Sequence, residues 1–417
     1  MSSITLRLGK VDQGAIPTDK KGFFARFHAA LAPALQSKLS FRDEPDGVWQ
    51  PFSEVPGTTI KSLQQFLKDA GFLPKANIDG IFGYATQAGV RLFQEYIRTV
   101  EGDATIGTPD GVAGPNTIRF MEKWKAEKQG TPDFICKWGQ ASSQSGSPEF
   151  NKWISLLQKA KEQYAATPNP ILQFSEKYTR PSDTLKIKDW NTSPDAVHLI
   201  GIRRNEGAAS AKRQNDDLFV LLIKGMVFKF WGSTDPSQAM TGKRLDEPFL
   251  IEGQHVYKFG WHKVSDAQQV YRALRPANHG VLVFRDRNND NSLTEFDIAK
   301  GLDPTPNKII NIHWSGKGEL NHSAGCQVIA GQSYSNHEGK VINCTAYASP
   351  GYADLKNGKT RGAYNVFTDL VLSYSPEGVQ TIAYTLARDE SFLLADDIDE
   401  NTLANWEGIL KGNEGVV

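Results

Sequence analysis

The sequence predicts a multidomain α + β chain, with a small three-helix unit followed by a mainly-β domain. Three observations carry that prediction. An Asp-Gly-x-x-Gly-x-x-Thr phrase occurs twice, at Asp79–Thr86 and Asp110–Thr117, each time leading into a segment with helical apolar spacing. Beyond residue 183 the apolar residues fall in short runs or strict alternation, as strands do. Between these regions, residues 129–147 have linker composition and end in Ala-Ser-Ser-Gln-Ser-Gly-Ser. A chain of 417 residues is long enough for two or three cores. The expected division is an N-terminal arm (1–56), the helical unit (57–128), a linker plus amphipathic helix (129–182), the β domain (183–394) and a tail (395–417).

The elements follow in order. Ile4 to Leu8 reads as a strand, and Phe23 to Leu39 as a helix despite Pro33. Ile60, Leu63, Gln64, Phe66 and Leu67 mark an amphipathic helix ending near Gly71. The first Asp-Gly turn leads to a helix over Tyr84–Ile97 with Val90 and Phe93 inward, and the second to a helix holding Ile118, Met121 and Trp124. Glycine supplies positive φ in such turns and Asp caps them locally. Ser147 as N-cap and Pro148 at the first position open a further helix, with Phe150, Trp153, Ile154, Leu157 and Tyr164 on one face, stopped by Pro168 and Pro170. In the β domain, strands are expected at His198–Ile202, at Leu218–Ile223 and Met226–Trp231 around the Lys224-Gly225 hairpin turn, at His255–His262 and at Val281–Phe284. Asn365–Tyr374 and Val379–Leu386 read as a last hairpin across Ser375–Gly378. An acidic patch after Leu394 and a short helix around Trp406 end the chain.

Composition excludes several functions. Lys+Arg and Asp+Glu both number 47, so there is no basic field for nucleic acid and no polybasic membrane anchor. No segment is apolar for long enough to span a bilayer, and Met1 to Ser37 lacks a signal-peptide core. Three cysteines are too few for a disulfide scaffold; Cys136 and Cys344 sit in apolar or strand-like surroundings and read as core residues. No cysteine and histidine set has zinc-finger spacing.

The third cysteine is different. From Lys308 to Trp314 the chain alternates, with Ile310, Ile312 and Trp314 on one face and Asn311 and His313 on an open face. A polar loop then leads to Ser323-Ala324-Gly325-Cys326. A thiol near pKa ~8.5 needs a base or a cation to become a nucleophile at neutral pH. His313 supplies the base, and Gly325 allows a tight turn whose N–H groups form an oxyanion hole beside Cys326. The competing interpretation is a structural His and a buried Cys. His322 and His337, both in polar loops, are rival bases. His198, His255, His262 and His279 have no metal spacing; His262 either lines the cleft or is structural.

A second polar loop carries oxygen ligands. Asp286, Asn288, Asp290, Ser292, Thr294 and Asp297 occupy positions 1, 3, 5, 7, 9 and 12 of an EF-hand-like loop. Asn291 replaces the usual glycine, which is tolerable because Asn visits the left-handed region. Asp297 is shorter than the usual Glu, so affinity for Ca²⁺ should be modest. The alternatives are a structural Ca²⁺ site bracing the segment before the His313 strand, or an Asp/Asn-rich turn without an ion. No other cofactor is expected.

Residues 57–128 resemble the peptidoglycan-binding domain of bacterial wall hydrolases, through Leu63-Gln64, Asp79 to Thr86, Phe93-Gln94 and Asp110 to Thr117. The His313 to Cys326 stretch resembles the signature of L,D-transpeptidase catalytic domains, in which a histidine precedes Ser/Thr-His-Gly-Cys. Together the resemblances imply a peptidoglycan-binding domain followed by a mainly-β L,D-transpeptidase-like domain. They imply Cys326 as nucleophile, His313 as base, and Ser323, Ala324 and Gly325 lining the oxyanion side through their backbone. The implied substrate is a stem peptide, cut at an L-centre/D-centre bond through a thioester. Water then makes the enzyme a carboxypeptidase, and an amine makes it a transpeptidase. Two features depart from the pattern: Ala324 stands where a histidine is usual, and the His-to-Cys loop is short. Asp216-Asp217-Leu218, Gly232–Pro236, Tyr257–Lys263 and Cys326–Ile329 are similar to a divergent subgroup found with phage and contractile-injection genes. The expected partner is peptidoglycan, with a phage-tail or contractile-injection particle as a candidate carrier. The expected location is the bacterial wall or periplasm, after synthesis in the cytoplasm and non-classical delivery. The alternative function is a non-catalytic wall-binding adaptor of such a particle. A zinc D,D-peptidase ranks last, because no matching His/Asp zinc signature occurs.

Overall fold

The computed structural model describes residues 4–15, 40–42, 49–51, 53–204, 213–237, 246–263, 271–318, 320–376, 381–388, 398 and 400–412. The helix expected over Phe23–Leu39, the acidic residues Asp396, Asp397 and Asp399, and Val379 lie outside them.

The N-terminal strands are short: β1 (Lys10–Asp12), β2 (Ser40–Arg42), β3 (Trp49–Pro51) and β4 (Ser53–Val55), with β1 parallel to β4 and β2 antiparallel to β3. The strand expected over Ile4–Leu8 is reduced to a single bridge, from Leu6 to Ala113. Three helices follow: α1 (Thr59–Asp69), α2 (Tyr84–Thr99) and α3 (Pro115–Lys128). The N-terminus of α1 has no cap from Thr58; Asp12 caps it from β1, its carboxylate accepting from Ile60 N at 2.7 Å and Lys61 N at 2.9 Å.

The repeated phrase has a physical cause. The buried Gln64 amide donates to Asp79 Oδ1, the Ile81 carbonyl and Thr86 Oγ1 at 2.8–3.1 Å, and its oxygen accepts from Gly80 N at 2.9 Å. Gln94 repeats every contact, with Asp110, the Val112 carbonyl, Thr117 and Gly111 N at 2.8–3.1 Å. Each Gln therefore staples a helix to the Asp-Gly turn that follows it, and each Gly adopts positive φ, 76° at Gly80 and 78° at Gly111.

The stretch of linker composition is packed against both regions. A one-turn helix, α4 (Lys137–Gln140), buries Trp138 beside Tyr96 and Phe228, and Cys136 is buried next to it. Helix α5 (Pro148–Ala166) begins as expected, with Ser147 Oγ accepting from Phe150 N at 3.1 Å. Its apolar face packs on the outer side of the β domain, with Ile200, Val220, Leu222, Val227 and Trp231. Short α6 (Leu172–Lys177) follows.

The β domain is a closed, mixed barrel. Its strands are β5 (His198–Arg203), β6 (Asp217–Ile223), β7 (Met226–Ser233), β8 (Pro248–Leu250), β9 (Gly253–His262), β10 (Tyr271–Pro276), β11 (Val283–Arg285), β12 (Ile312–Trp314), β13 (Gln327–Ser335), β14 (Val341–Asn343) and β15 (Thr381–Arg388). Eight of them run in the order β12-β10-β9-β15-β5-β6-β7-β13, and the pairing of β12 with β13 closes the ring. That closing pair is parallel, as is β15 with β5; the rest are antiparallel. β14 takes the edge of β13 beyond the reach of the three-residue β12. β8 and β11 form a separate pair that shields one end. Lys224 and Gly225 take positive φ, 52° and 80°, in the two-residue hairpin turn the sequence signalled.

Among the described residues three more α-helices follow: α7 (Glu295–Ala299), α8 (Ala363–Tyr374) and α9 (Glu400–Lys411). Helix α8 corrects the expected hairpin: Asn365–Tyr374 is not a strand. Its apolar residues are buried nearly all round, and an apolar run of that length does not separate a buried helix from a strand. It fills the space between the barrel and α2. There Arg91 of α2 and Arg272 of β10 both pair with Asp369, at 2.6 Å, all three buried. Glu95 of α2 accepts from Tyr334 Oη of β13 at 2.5 Å. The helical unit and the barrel interior share one continuous apolar core, from Phe72 and Phe93 through Phe367 to Phe230.

Candidate active site

The closing β12–β13 pair builds the site. Parallel register sets Ile312 against Gln327 and His313 against Val328, which brings the segment before β12 alongside Cys326 at the start of β13. Gln327 N donates to the Asn311 carbonyl at 2.9 Å, and Asn311 N donates to Cys326 Sγ at 3.3 Å. The thiol donates to the Ile309 carbonyl at 3.1 Å. Cys326 is partly exposed, whereas Cys136 and Cys344 are buried, as expected of core residues.

The turn before the sulfur is held from the opposite side. Ser323 Oγ accepts from Gly325 N at 3.4 Å, while the Ser323 carbonyl accepts from Ser237 N at 2.8 Å. A Cβ on Gly325 would meet Pro248 Cγ at 2.5 Å, so the turn lies flat against β8 only because residue 325 is glycine. Ala324 and His322 are exposed, which leaves His322 a solvated loop residue.

His313 departs from expectation. The open face predicted for it is covered: His313 is 5% exposed. Its ring stacks on His262 with centroids 4.1 Å apart and planes 18° apart, and its Nδ1 lies 2.9 Å from the Trp314 carbonyl and 3.2 Å from Tyr271 Oη. Strand alternation assigns a face but does not say what packs on it, and here β9 and β10 supply His262 and Tyr271. With Nδ1 engaged by a carbonyl, the proton belongs there and Nε2 is the basic nitrogen. Among the described residues no hydrogen bond joins His313 to Cys326.

Electrostatics match this burial. Desolvation pushes His313 down to about 4, with the Lys263 ammonium in the same direction. Burial, then the charges of His313, Lys263, Arg275 and Arg361, push His262 down to about 2. Burial also raises the Cys326 thiol, opposed by the Asn311 N–H, the Ser323 hydroxyl and the Arg275 charge. In the resting protein the proton therefore stays on sulfur and both imidazoles are neutral.

Residues quoted only as motif text turn out to frame this mouth. Asp217 accepts from Arg204 N at 2.6 Å and from Thr234 N at 2.5 Å. Asp235 pairs with Arg203 at 2.8 Å and with Arg213, and its carbonyl accepts from Asn321 Nδ2 at 2.5 Å. Burial and the neighbouring carboxylates raise Asp216 to about 9. His337 is no base for this site: its Nδ1 accepts from Trp138 Nε1 at 3.1 Å, against the α4 turn. His198 and His255 are buried, with His255 held between Thr184 Oγ1 and the Ile251 carbonyl at 3.0 Å.

The Asp286–Asp297 loop has a geometry compatible with a cation. Carboxylate oxygens of Asp286, Asp290 and Asp297 lie within 4.8 Å of one another, and no other group of three such His, Cys, Asp or Glu ligands occurs among the described residues. Asn291 adopts φ of 62°. Asp286 accepts from the backbone of Asn289 and Asn291, and Asp297 from Arg287 N and Thr294 N, leaving lone pairs on each carboxylate. Asn288 turns its amide toward Asp290 at 2.8 Å, and Ser292 N donates to Asp290, so the oxygen set centres on the three aspartates. The loop also reaches the turn before Cys326. The Asn291 carbonyl accepts from Arg213 Nη1 at 2.9 Å, and Arg213 holds Asp235 and, through it, Asn321 in the turn before Cys326.

Among the described residues no helix is long and apolar enough to cross a membrane. A search of curated proteins finds no match. A solved structure of a fused Zn-dependent amidase/peptidase/peptidoglycan-binding domain-containing protein from Clostridium acetobutylicum ATCC 824 is 12% identical, with 79% of this chain and 95% of that chain covered, at a TM-score of 0.21. Likeness at that level leaves the chemistry of this chain to its own residues. The helical unit is different: residues 56–100, which hold α1, the first Asp-Gly turn and α2, match the family described as putative peptidoglycan binding domain.

Proposed function

We propose that the protein is a peptidoglycan-modifying cysteine enzyme, an L,D-carboxypeptidase or L,D-transpeptidase working through a thioester at Cys326, with the helical unit holding the wall. The observation that carries this is the β12–β13 closure. It sets Cys326, a partly exposed residue, beside the His313 strand, with the Asn311 backbone N–H donated to its sulfur.

The chemistry follows from the resting charges. His313 Nε2 takes the thiol proton as sulfur attacks the carbonyl of the L-centre/D-centre bond, and the new C–S bond leaves an oxyanion. Collapse breaks the C–N bond, and the departing D-residue amine carries away the proton from His313. Water or an acceptor amine then breaks the thioester and returns the proton to sulfur. Thiol and imidazole are both neutral beforehand, so proton transfer accompanies attack instead of preceding it.

Mass spectrometry of diaminopimelate-type muropeptides incubated with wild type and Cys326→Ala tests this. Loss or exchange of the terminal D-residue in wild type only is the expected result. Trimming that survives the substitution would place the chemistry elsewhere. Unchanged muropeptides in both, with sacculus binding retained, would favour a wall-binding adaptor.

A further inference from the structure

The steps above give no work to the second imidazole, stacked face to face on His313. We infer that His262 is a positioning residue of the Cys326 centre, acting through Asn311 to fix the backbone N–H that bonds the sulfur; this rests on the cysteine reading proposed above.

The chain of contacts is short and runs from the half-buried His262 through the buried Asn311 to the partly exposed Cys326. His262 ends β9, paired with Tyr271, and its ring covers that of His313. The Asn311 side-chain amide donates to His262 Nδ1 at 3.1 Å, which requires that nitrogen to be unprotonated. The main chain of the same Asn311 donates to Cys326 Sγ and accepts from N of the next residue, Gln327. A donor aimed at sulfur favours the thiolate and fixes where it sits. Asn311 lies one residue before the three-residue β12; Tyr257 Oη donates to the Ile310 carbonyl of the same peptide at 3.0 Å, and the side-chain anchor of Asn311 on His262 adds a further restraint. The stack adds a second consequence. Two imidazoles 4.1 Å apart are not both protonated to imidazolium, and the ring bonded to Asn311 is the one kept neutral, so the thiol proton is directed to His313.

Two variants separate the acceptor from the ring. His262→Phe keeps a flat ring on His313 and loses the acceptor for Asn311; His262→Gln keeps an acceptor and loses the ring. The readouts are kcat and KM on diaminopimelate-type muropeptides, and the rate at which iodoacetamide alkylates Cys326 in the folded protein, where the other two thiols are buried. For H262F we expect kcat to fall by about 100-fold with KM unchanged, as a displaced reacting group would give, and alkylation to slow. H262Q should recover to within about tenfold of wild type. Wild-type kcat in H262F, or equal impairment in both variants, would overturn the inference. If wild type itself leaves muropeptides unchanged, the cysteine reading fails separately; alkylation still decides the role of His262, since equal rates in H262F and H262Q would refute it.

Discussion

The helical unit and the barrel mouth both hold buried polar networks, but the two are built on opposite plans. In the helical unit each buried Gln is satisfied by the next turn along the chain, Gln64 by Asp79–Thr86 and Gln94 by Asp110–Thr117. At the barrel mouth the partners come from far apart: His313 with His262 and Tyr271, Asp235 with Arg203 and Asn321, Arg213 with Asn291. The lesson concerns motifs. The repeated phrase that marks the helical unit holds its own turns, with its Gln, Asp and Thr as staples. The motif around Cys326 names the proposed reacting groups, but their geometry is set by residues outside it.

The largest expected effect breaks the junction between the two regions. Asp369→Ala leaves the Arg91 and Arg272 guanidiniums buried without their carboxylate, which typically costs about 3–5 kcal/mol. Because the core is continuous across the junction, wild type should denature in one transition and the variant in two, with the helical unit separating from the barrel. A single unshifted transition in the variant would refute that coupling.

Next, Gln94→Ala strands a buried N–H, a carboxylate and a hydroxyl, and should lower stability by about 3 kcal/mol in chemical denaturation. Sacculus binding measured well below the variant's melting temperature should survive. Lost binding in a folded variant would mean that the staple also touches the wall.

A smaller effect depends on pH. Burial raises Glu95 to about 7, against the hydrogen bond from Tyr334. A carboxyl raised on folding stabilises below its unfolded pKa near ~4.3, and that contribution fades as pH rises through the folded value. Wild type should therefore lose stability relative to Glu95→Gln between about pH 5 and about pH 8. The melting-temperature gap between them should widen in favour of the variant; a gap independent of pH would contradict it.

The smallest effect tests the loop at the mouth. If the three aspartates hold Ca²⁺, tenfold excess over Kd should stabilise by about 1 kcal/mol, and Asp290→Ala, at an exposed ligand, should abolish the shift. No calcium-dependent shift in wild type would leave an Asp/Asn turn without an ion.

Legibility followed the same divide. The three helices, the Ser147 cap, the Lys224-Gly225 hairpin and the strands at His198, Leu218, Met226 and His255 were readable because period, caps and turn residues act over a few positions. Helix α8 was misread as a strand because burial on all sides removes the polar stripe that marks a helix. His313 was placed on the correct strand but on a face taken for open.

Taken alone, the sequence determined the three helices and the two Asp-Gly turns of the helical unit, and singled out the one cysteine that is partly exposed. Tertiary structure alone decided that β12 and β13 close the barrel, that His262 lies on His313, and that Asp235 and Arg213 tie the turn before Cys326 to the Asp286–Asp297 loop. The reason is separation along the chain. A staple between Gln94 and Asp110 spans 16 residues and leaves a spacing that can be read, whereas the Asn311–His262 bond spans 49 and forms only when a whole barrel closes around it.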